Sequence, residues 1–167
     1  MAGSSPQSWG PVKLYSRKGF DLTARFPEIA DCVLKDVAAD NVILDGEIVF
    51  IGEDGLPSFD AFRMKNRRVS LYVFDVLWLE GDRTASPLEE RRSLISIAML
   101  IQSETLRISE SFNDGLALFN AVEIMGLEGI VSKHRRSAYK SGRSKAWLKI
   151  KTKAWVERYR ERWREFR

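Results

Sequence analysis

Apolar positions recur along this chain with two different periods, and the period predicts the element. Within residues 27–39, Ile29, Val33 and Val37 stand four apart, with Leu34 beside them. That is the stripe of an amphipathic helix, and Pro27 suits its first turn, where the missing N–H would have no partner. Cys32 falls near the apolar side as a small hydrophobe. Residues 42–51 and 71–79 are rich in β-branched and aromatic side chains and read as strands, the second of them buried. Residues 12–16 alternate weakly, which predicts a short strand ending in an Arg17-Lys18-Gly19 turn. Asp54-Gly55 marks another turn, and residues 59–66 read as a short helix. Ser86-Pro87-Leu88-Glu89 is a capping box that opens a helix predicted to run to about Ile101. Residues 106–109 form a short strand. A helix over 113–125 carries Leu116, Phe119, Ala121 and Ile124 on one side and is stopped by Gly126. Residues 128–133 and 147–151 are short strands around a polar loop. Trp155, Tyr159, Trp163 and Phe166 then recur at helical spacing, the docking face of an amphipathic tail helix over 152–167. No repeat is visible. Mixed strands and helices predict an α+β fold with a partly antiparallel sheet.

Composition narrows the classes. The chain has 167 residues, 44% of them hydrophobic and 30% charged, which is the balance of a folded domain. One cysteine excludes an internal disulfide and a cysteine-based zinc cluster, and one histidine (His134) excludes a multi-histidine metal site. No apolar run approaches the roughly 18 residues that span a bilayer. Residues 1–11 are rich in Gly, Ser and Pro and read as a flexible lead or expression remnant without signal-peptide character. A cytoplasmic, reducing location is the expectation.

A net charge of +4 is mild, but its distribution is not. Nine Lys and Arg residues lie between Lys133 and Lys153 with no acid among them. Tyr139 and Trp147 are interleaved, a pattern suited to a polyanion as well as to a solvated basic loop. Residues 63–68 hold four more cations in six positions, with the same two readings.

Four segments carry candidate chemistry. Leu44-Asp45-Gly46-Glu47-Ile48-Val49 contains an Asp-Gly pair that alone signals a hairpin. Tyr72-Val73-Phe74-Asp75-Val76-Leu77 places a carboxylate inside an apolar strand, where it is costly without a partner. Glu128-Gly129-Ile130-Val131-Ser132-Lys133 brackets a buried strand with an acid and a base. In Trp147-Leu148-Lys149-Ile150-Lys151, alternation puts Lys149, Lys151 and Trp147 on one face. Two neighbouring ammonium groups repel unless an anion, such as a nucleotide phosphate, lies between them.

In this order the four segments resemble the nucleotidyltransferase motifs of ATP-dependent DNA ligases. Leu14-Tyr15-Ser16-Arg17-Lys18-Gly19, Arg25-Phe26-Pro27-Glu28 and the ending from Arg160 to Phe166 are most similar to the ligase domain of bacterial end-joining ligases. The resemblance implies the α+β nucleotidyltransferase fold, an ATP-grasp-like ligase adenylation domain with mixed, largely antiparallel sheets and flanking helices. It implies ATP and Mg²⁺ as cofactors, DNA as partner, end-joining proteins as further partners, a bacterial cytoplasmic location and no membrane. In that chemistry a lysine attacks the ATP α-phosphate, AMP passes to a DNA 5′-phosphate, and a 3′-hydroxyl displaces it. By resemblance Glu47 touches the ribose or a metal-bound water, Phe74 stacks on adenine, and Lys133 joins the nucleotide site. Glu128 helps hold a divalent cation, as a carboxylate suits Mg²⁺. Lys149 and Lys151 neutralise the α-phosphate. Arg17, Arg135, Arg136, Lys140, Arg143 and Lys145 contact DNA.

The family nucleophile sits in a Lys-x-Asp-Gly motif, and no lysine of this sequence is followed by x-Asp-Gly. The expectation is a partial adenylation domain over 12–151, shortened at its N-terminus and without an oligonucleotide-binding domain. Strand edges left exposed by such shortening would favour a homodimer. The alternative is a catalytically inactive nucleotide- or DNA-binding remnant of the same fold, and RNA ligation or capping is a third reading.

Overall fold

The computed structural model describes residues 11–53, 55–57, 68–99 and 101–158. They fall into two compact units: the described residues of 1–84 and 90–109 form one, and those of 85–89 and 110–167 the other.

The first unit is built on a three-stranded sheet, β1 (Val42–Ile51), β2 (Arg68–Leu79) and β3 (Leu106–Ile108), in that order. β1 and β2 are antiparallel and β2 and β3 parallel, so the sheet is mixed. Helix α1 (Pro27–Asp36) starts at Pro27 as expected but ends three residues early, since Val37 turns extended and bridges to Met99. It seats the fully buried Ile29 against Phe26 and Val69. The larger core cluster gathers Val73, Val76, Leu79, Ile95, Ala98 and Leu106. The strand expected at 12–16 is reduced to one bridge, Tyr15 to Asp21, because the chain doubles back through a turn in which Gly19 takes φ 82°. The helix expected to reach Ile101 is broken. It forms as α2 (Leu88–Ser93) and α3 (Ile95–Ala98), with Leu94 in a turn between them. Its buried stripe nevertheless continues through the break as Leu88, Arg91, Ile95 and Ala98. The Asp45-Gly46 pair forms no hairpin and lies inside β1, where the register to β2 shifts. A Cβ on Gly46 would stand 2.8 Å from the Tyr72 carbonyl oxygen, so glycine is required by close approach.

The second unit pairs β4 (Gly129–Lys133) antiparallel with β5 (Trp147–Lys151). Helix α4 (Gly115–Ile124) is capped by Asp114, whose carboxylate accepts from the Leu116 and Ala117 N–H groups. Its packed side is not the expected one. Val122 is buried while Leu116 and Ile124 are exposed. The helix is apolar nearly all round, so spacing alone could not choose a face. Gly126 ends it at φ 66°, as expected. At the start of α2, the N–H groups of Leu88 and Glu89 are bonded by the Ser137 and Arg135 carbonyls. Residues 153–158 are helical, while Tyr159, Trp163 and Phe166 of the aromatic stripe lie outside the described residues, as do the helix expected at 59–66, Asp54 and Arg63 to Arg67. Among the described residues no helix is long and apolar enough to cross a membrane.

Candidate functional site

In the second unit the β4–β5 register decides which side chains meet. Lys133 is opposite Trp147, Val131 opposite Lys149, and Gly129 opposite Lys151. Residues directly opposite share a face, so Lys133, Lys149, Lys151 and Trp147 stand together. Lys149 and Lys151 both reach Glu128: their Nζ atoms lie 2.8 and 3.1 Å from the same oxygen, Oε1. Burial alone would raise the Glu128 pKa. Hydrogen bonds from the two lysines and their charges outweigh it and hold the carboxyl below its ordinary value. One carboxylate against two ammonium groups leaves a positive surplus, a charge balance that suits an anion. Lys133 lies 3.9 Å above the Trp147 ring centroid, and Tyr139 meets that ring edge-on.

Two features that the sequence did not single out hold this cluster. Thr152 is fully buried; its hydroxyl donates to the Leu127 carbonyl and its N–H to the Glu128 carbonyl. It therefore ties the end of β5 to the residue that pairs with both lysines. Gly129 has φ 151°, and a Cβ there would overlap the Ile150 carbonyl oxygen. Only glycine lets β4 approach β5 this closely.

The loop between β4 and β5 exposes Arg135, Arg136, Lys140, Arg143 and Lys145 to solvent. Its neck is closed by the His134 N–H on the Ala146 carbonyl, 2.8 Å, and Arg135 bonds the Asn113 side chain. Among the described residues no group of three or more His, Cys, Asp and Glu side chains could hold a metal ion. Glu128 is the one metal residue expected from the sequence, and both lysines stand on its Oε1. Such a single carboxylate fits Mg²⁺ only where substrate phosphates complete the shell.

In the first unit, Glu47 is exposed and stands opposite Tyr72, which in turn stands opposite Arg107 on β3. A cavity of about 290 Å³ is lined by Tyr72, Arg107, Arg68, Ser70, Glu28 and Glu104 among others. Phe74 is half-buried, and it is skipped in the register: Gly46 faces Val73 and Asp45 faces Asp75. It is thus the extra residue of a β-bulge, a device that re-aims a side chain. Asp75, the carboxylate expected to need a partner, has one. Arg91 grips it with both ends of its fork, Nε to Oδ1 and Nη2 to Oδ2 at 2.8 Å each, and both side chains are wholly buried. Arg92 donates to the carbonyls of Phe74 and Ser109 at 3.0 and 2.7 Å. Burial pushes the Arg92 pKa below its ordinary value, and the charge of Asp75 opposes that. Arg17 is exposed in the turn after Ser16.

Comparison with known proteins bears on the family of the chain. The chain is 35% identical over 147 residues to the multifunctional non-homologous end joining DNA repair protein LigD of Mycobacterium tuberculosis, covering 85% of this chain and 19% of that protein. It is 34% identical to the SPbeta prophage-derived DNA ligase-like protein LigB of Bacillus subtilis, over 83% of this chain and 53% of the relative. The structure superposes on mycobacterial DNA ligase D complexed with ATP and MES with a TM-score of 0.72 and 34% identity, over 86% of this chain and 48% of that one. The ligase domain of M. tuberculosis LigD gives a TM-score of 0.69 at 33% identity, over 83% of this chain and 47% of that one. The chain thus spans about a fifth to a half of these relatives. Residues 7–151 match the family described as the ATP dependent DNA ligase domain, and the chain belongs to that family.

Proposed function

We propose that this chain supplies nucleotide- and DNA-handling surface to an ATP-dependent DNA ligase that seals nicks in repair and recombination. In that chemistry a lysine nitrogen attacks the ATP α-phosphorus and pyrophosphate leaves. The adenylyl group then moves to a DNA 5′-phosphate, and a 3′-hydroxyl displaces AMP. The observation that carries the reading is the pair of lysines on β5 sharing one oxygen of Glu128. Lys149 and Lys151 neutralise the α-phosphate, with Lys133 beside them, and Phe74 and Glu47 receive the adenine and the ribose. Glu128 would help hold Mg²⁺, which supplies charge neutralisation on the transferring phosphate. The exposed cations at 135, 136, 140, 143 and 145, with Arg17, hold the DNA backbone. Residues 12–151 are read as part of an adenylation domain and 152–167 as its appended helix. No residue of this sequence is assigned the nucleophile.

Calorimetric titration of ATP with Mg²⁺ into the chain tests this. The Lys149→Ala/Lys151→Ala variant should bind at least about tenfold more weakly, as expected for charge-assisted contacts. Equal affinity would overturn the reading. Binding of nicked duplex DNA should fall steeply with salt, since the contacts are to phosphates. Salt-independent binding would refute the assignment of the basic loop. Intact mass after incubation with ATP and Mg²⁺ separates the two versions of the reading: no adenylyl gain is expected, and a gain, mapped to a peptide, would name a nucleophile outside any Lys-x-Asp-Gly context.

A further inference from the structure

Phe74 has no residue opposite it on β1. In a bulge the local backbone sets the aim of the extra side chain. Consecutive arginines at the end of α2 hold the backbone there. Arg91 is spent on the Asp75 carboxylate, which also accepts the Val76 N–H at 2.9 Å. Arg92 reaches across to the Phe74 carbonyl with Nη1 and to the Ser109 carbonyl, just past β3, with Nη2. Its fork therefore spans the bulge and the strand end beyond it. Two main-chain acceptors bridged by one planar guanidinium fix a distance and an angle together, which a lysine ammonium on a flexible stem does not do. Holding β2 to α2 is already accomplished by the wholly buried Arg91–Asp75 pair. The additional fork acts on the peptide that sets the Phe74 ring direction.

We propose that Arg92 is a positioning residue for nucleotide binding, acting by fixing the bulge that aims Phe74. The inference rests on the reading that Phe74 stacks on the adenine base. It predicts a base-specific effect: Arg92→Lys keeps the charge and loses the bridge.

The test titrates the full chain with ATP and, separately, with inorganic tripolyphosphate, which offers phosphates and no base. It uses the parent, Phe74→Ala, Arg92→Lys and the double variant, each checked for a folded circular-dichroism spectrum. Loss of aromatic stacking on a base is expected to cost Phe74→Ala roughly five- to a hundredfold in ATP affinity. Arg92→Lys should lose a similar order in ATP affinity with tripolyphosphate affinity unchanged. In the Phe74→Ala background it should then lose nothing further, because the ring it aims is gone. Additive losses, or equal losses for ATP and tripolyphosphate, would overturn the positioning role. An ATP affinity untouched by Phe74→Ala would overturn the stacking reading instead, and no ATP binding by the parent would overturn both. Should Arg92→Lys not fold, Arg92→Gln enters the same cycle, and failure of both variants to fold would show that Arg92 holds the fold and overturn the inference.

Discussion

The buried pair between Asp75 and Arg91 sets up a sharp stability experiment. Replacing Arg91 by Met keeps an unbranched side chain and removes the charge. Both partners are fully inaccessible, and the two bonds lost are each 2.8 Å long. Charge-assisted bonds contribute about 1.5–3 kcal/mol apiece. Removing one member of a buried pair costs about 3–5 kcal/mol, since the other charge stays behind in a low dielectric. Asp75 would retain the Val76 N–H, at 2.9 Å, which compensates only a fraction of that charge. A loss of about 3–5 kcal/mol is therefore expected for Arg91→Met. Replacing both partners, Asp75→Leu with Arg91→Met, removes the stranded charge and should restore most of the loss, to within about 2 kcal/mol of the parent, because apolar replacement of a buried pair is often neutral. Urea unfolding followed by circular dichroism measures the totals. The chain has two compact units, so hydrogen exchange at the β2 peptide serves as the local readout. A loss below about 1 kcal/mol for Arg91→Met, or a double variant as unstable as the sum of the singles, would refute the reasoning.

Three further outcomes are expected. Gly129→Ala forces φ 151° on a residue with a Cβ and drives that atom into the Ile150 carbonyl; a loss of about 2–4 kcal/mol and weakened protection of β4 and β5 should appear in hydrogen exchange. Thr152→Val keeps the shape and removes the hydroxyl bond from the buried Thr152 to the Leu127 carbonyl, so a loss of about 1–3 kcal/mol is expected by chemical denaturation, with Thr152→Ser recovering part of it. Glu128 has a folded pKa below its ordinary value of 4.5, so its contribution to stability is fully present above that value and is lost as pH falls through the lowered one. Exchange protection of β4 and β5 should accordingly drop below about pH 4.5 in the parent, and Glu128→Gln should flatten that dependence.

Much of the fold was legible because it is local. β1 occupies the residues its β-branched run predicts, and β4 and β5 flank the basic loop as expected. The shared face of Lys149 and Lys151 follows from strand alternation alone. The same alternation could not supply their partner's geometry, since Glu128 meets them only through the β4–β5 register. The sequence showed that Asp75 needed a counter-charge. Which cation answers it depends on α2 crossing β2 sixteen residues later, a tertiary fact. The helix break at Leu94 was hidden because the buried stripe passes through it unbroken, and the α4 face was hidden because apolar residues surround that helix. The bulge at Phe74 arises from a mismatch in spacing between two strands, which neither strand shows by itself.

The β4–β5 ribbon carries different proposed chemistry at its two ends. A two-stranded ribbon is marginal by itself. At one end it is pinned by Thr152 to Leu127 and Glu128 and by the close approach at Gly129, and there stand Glu128 and Lys151, with Lys149 two residues away. Transfer at a phosphorus needs reacting atoms placed within about 3–3.5 Å, so the proposed phosphate-neutralising pair belongs at the pinned end. At the other end the strands open into the loop that exposes Arg135, Arg136, Lys140, Arg143 and Lys145. Attraction to a nucleic-acid backbone acts over a Debye length of about 8–10 Å and tolerates imprecise placement. The proposed roles therefore follow what each contact needs, close placement for the phosphate-neutralising pair beside Thr152 and Gly129, and charge alone for the exposed cations of the loop.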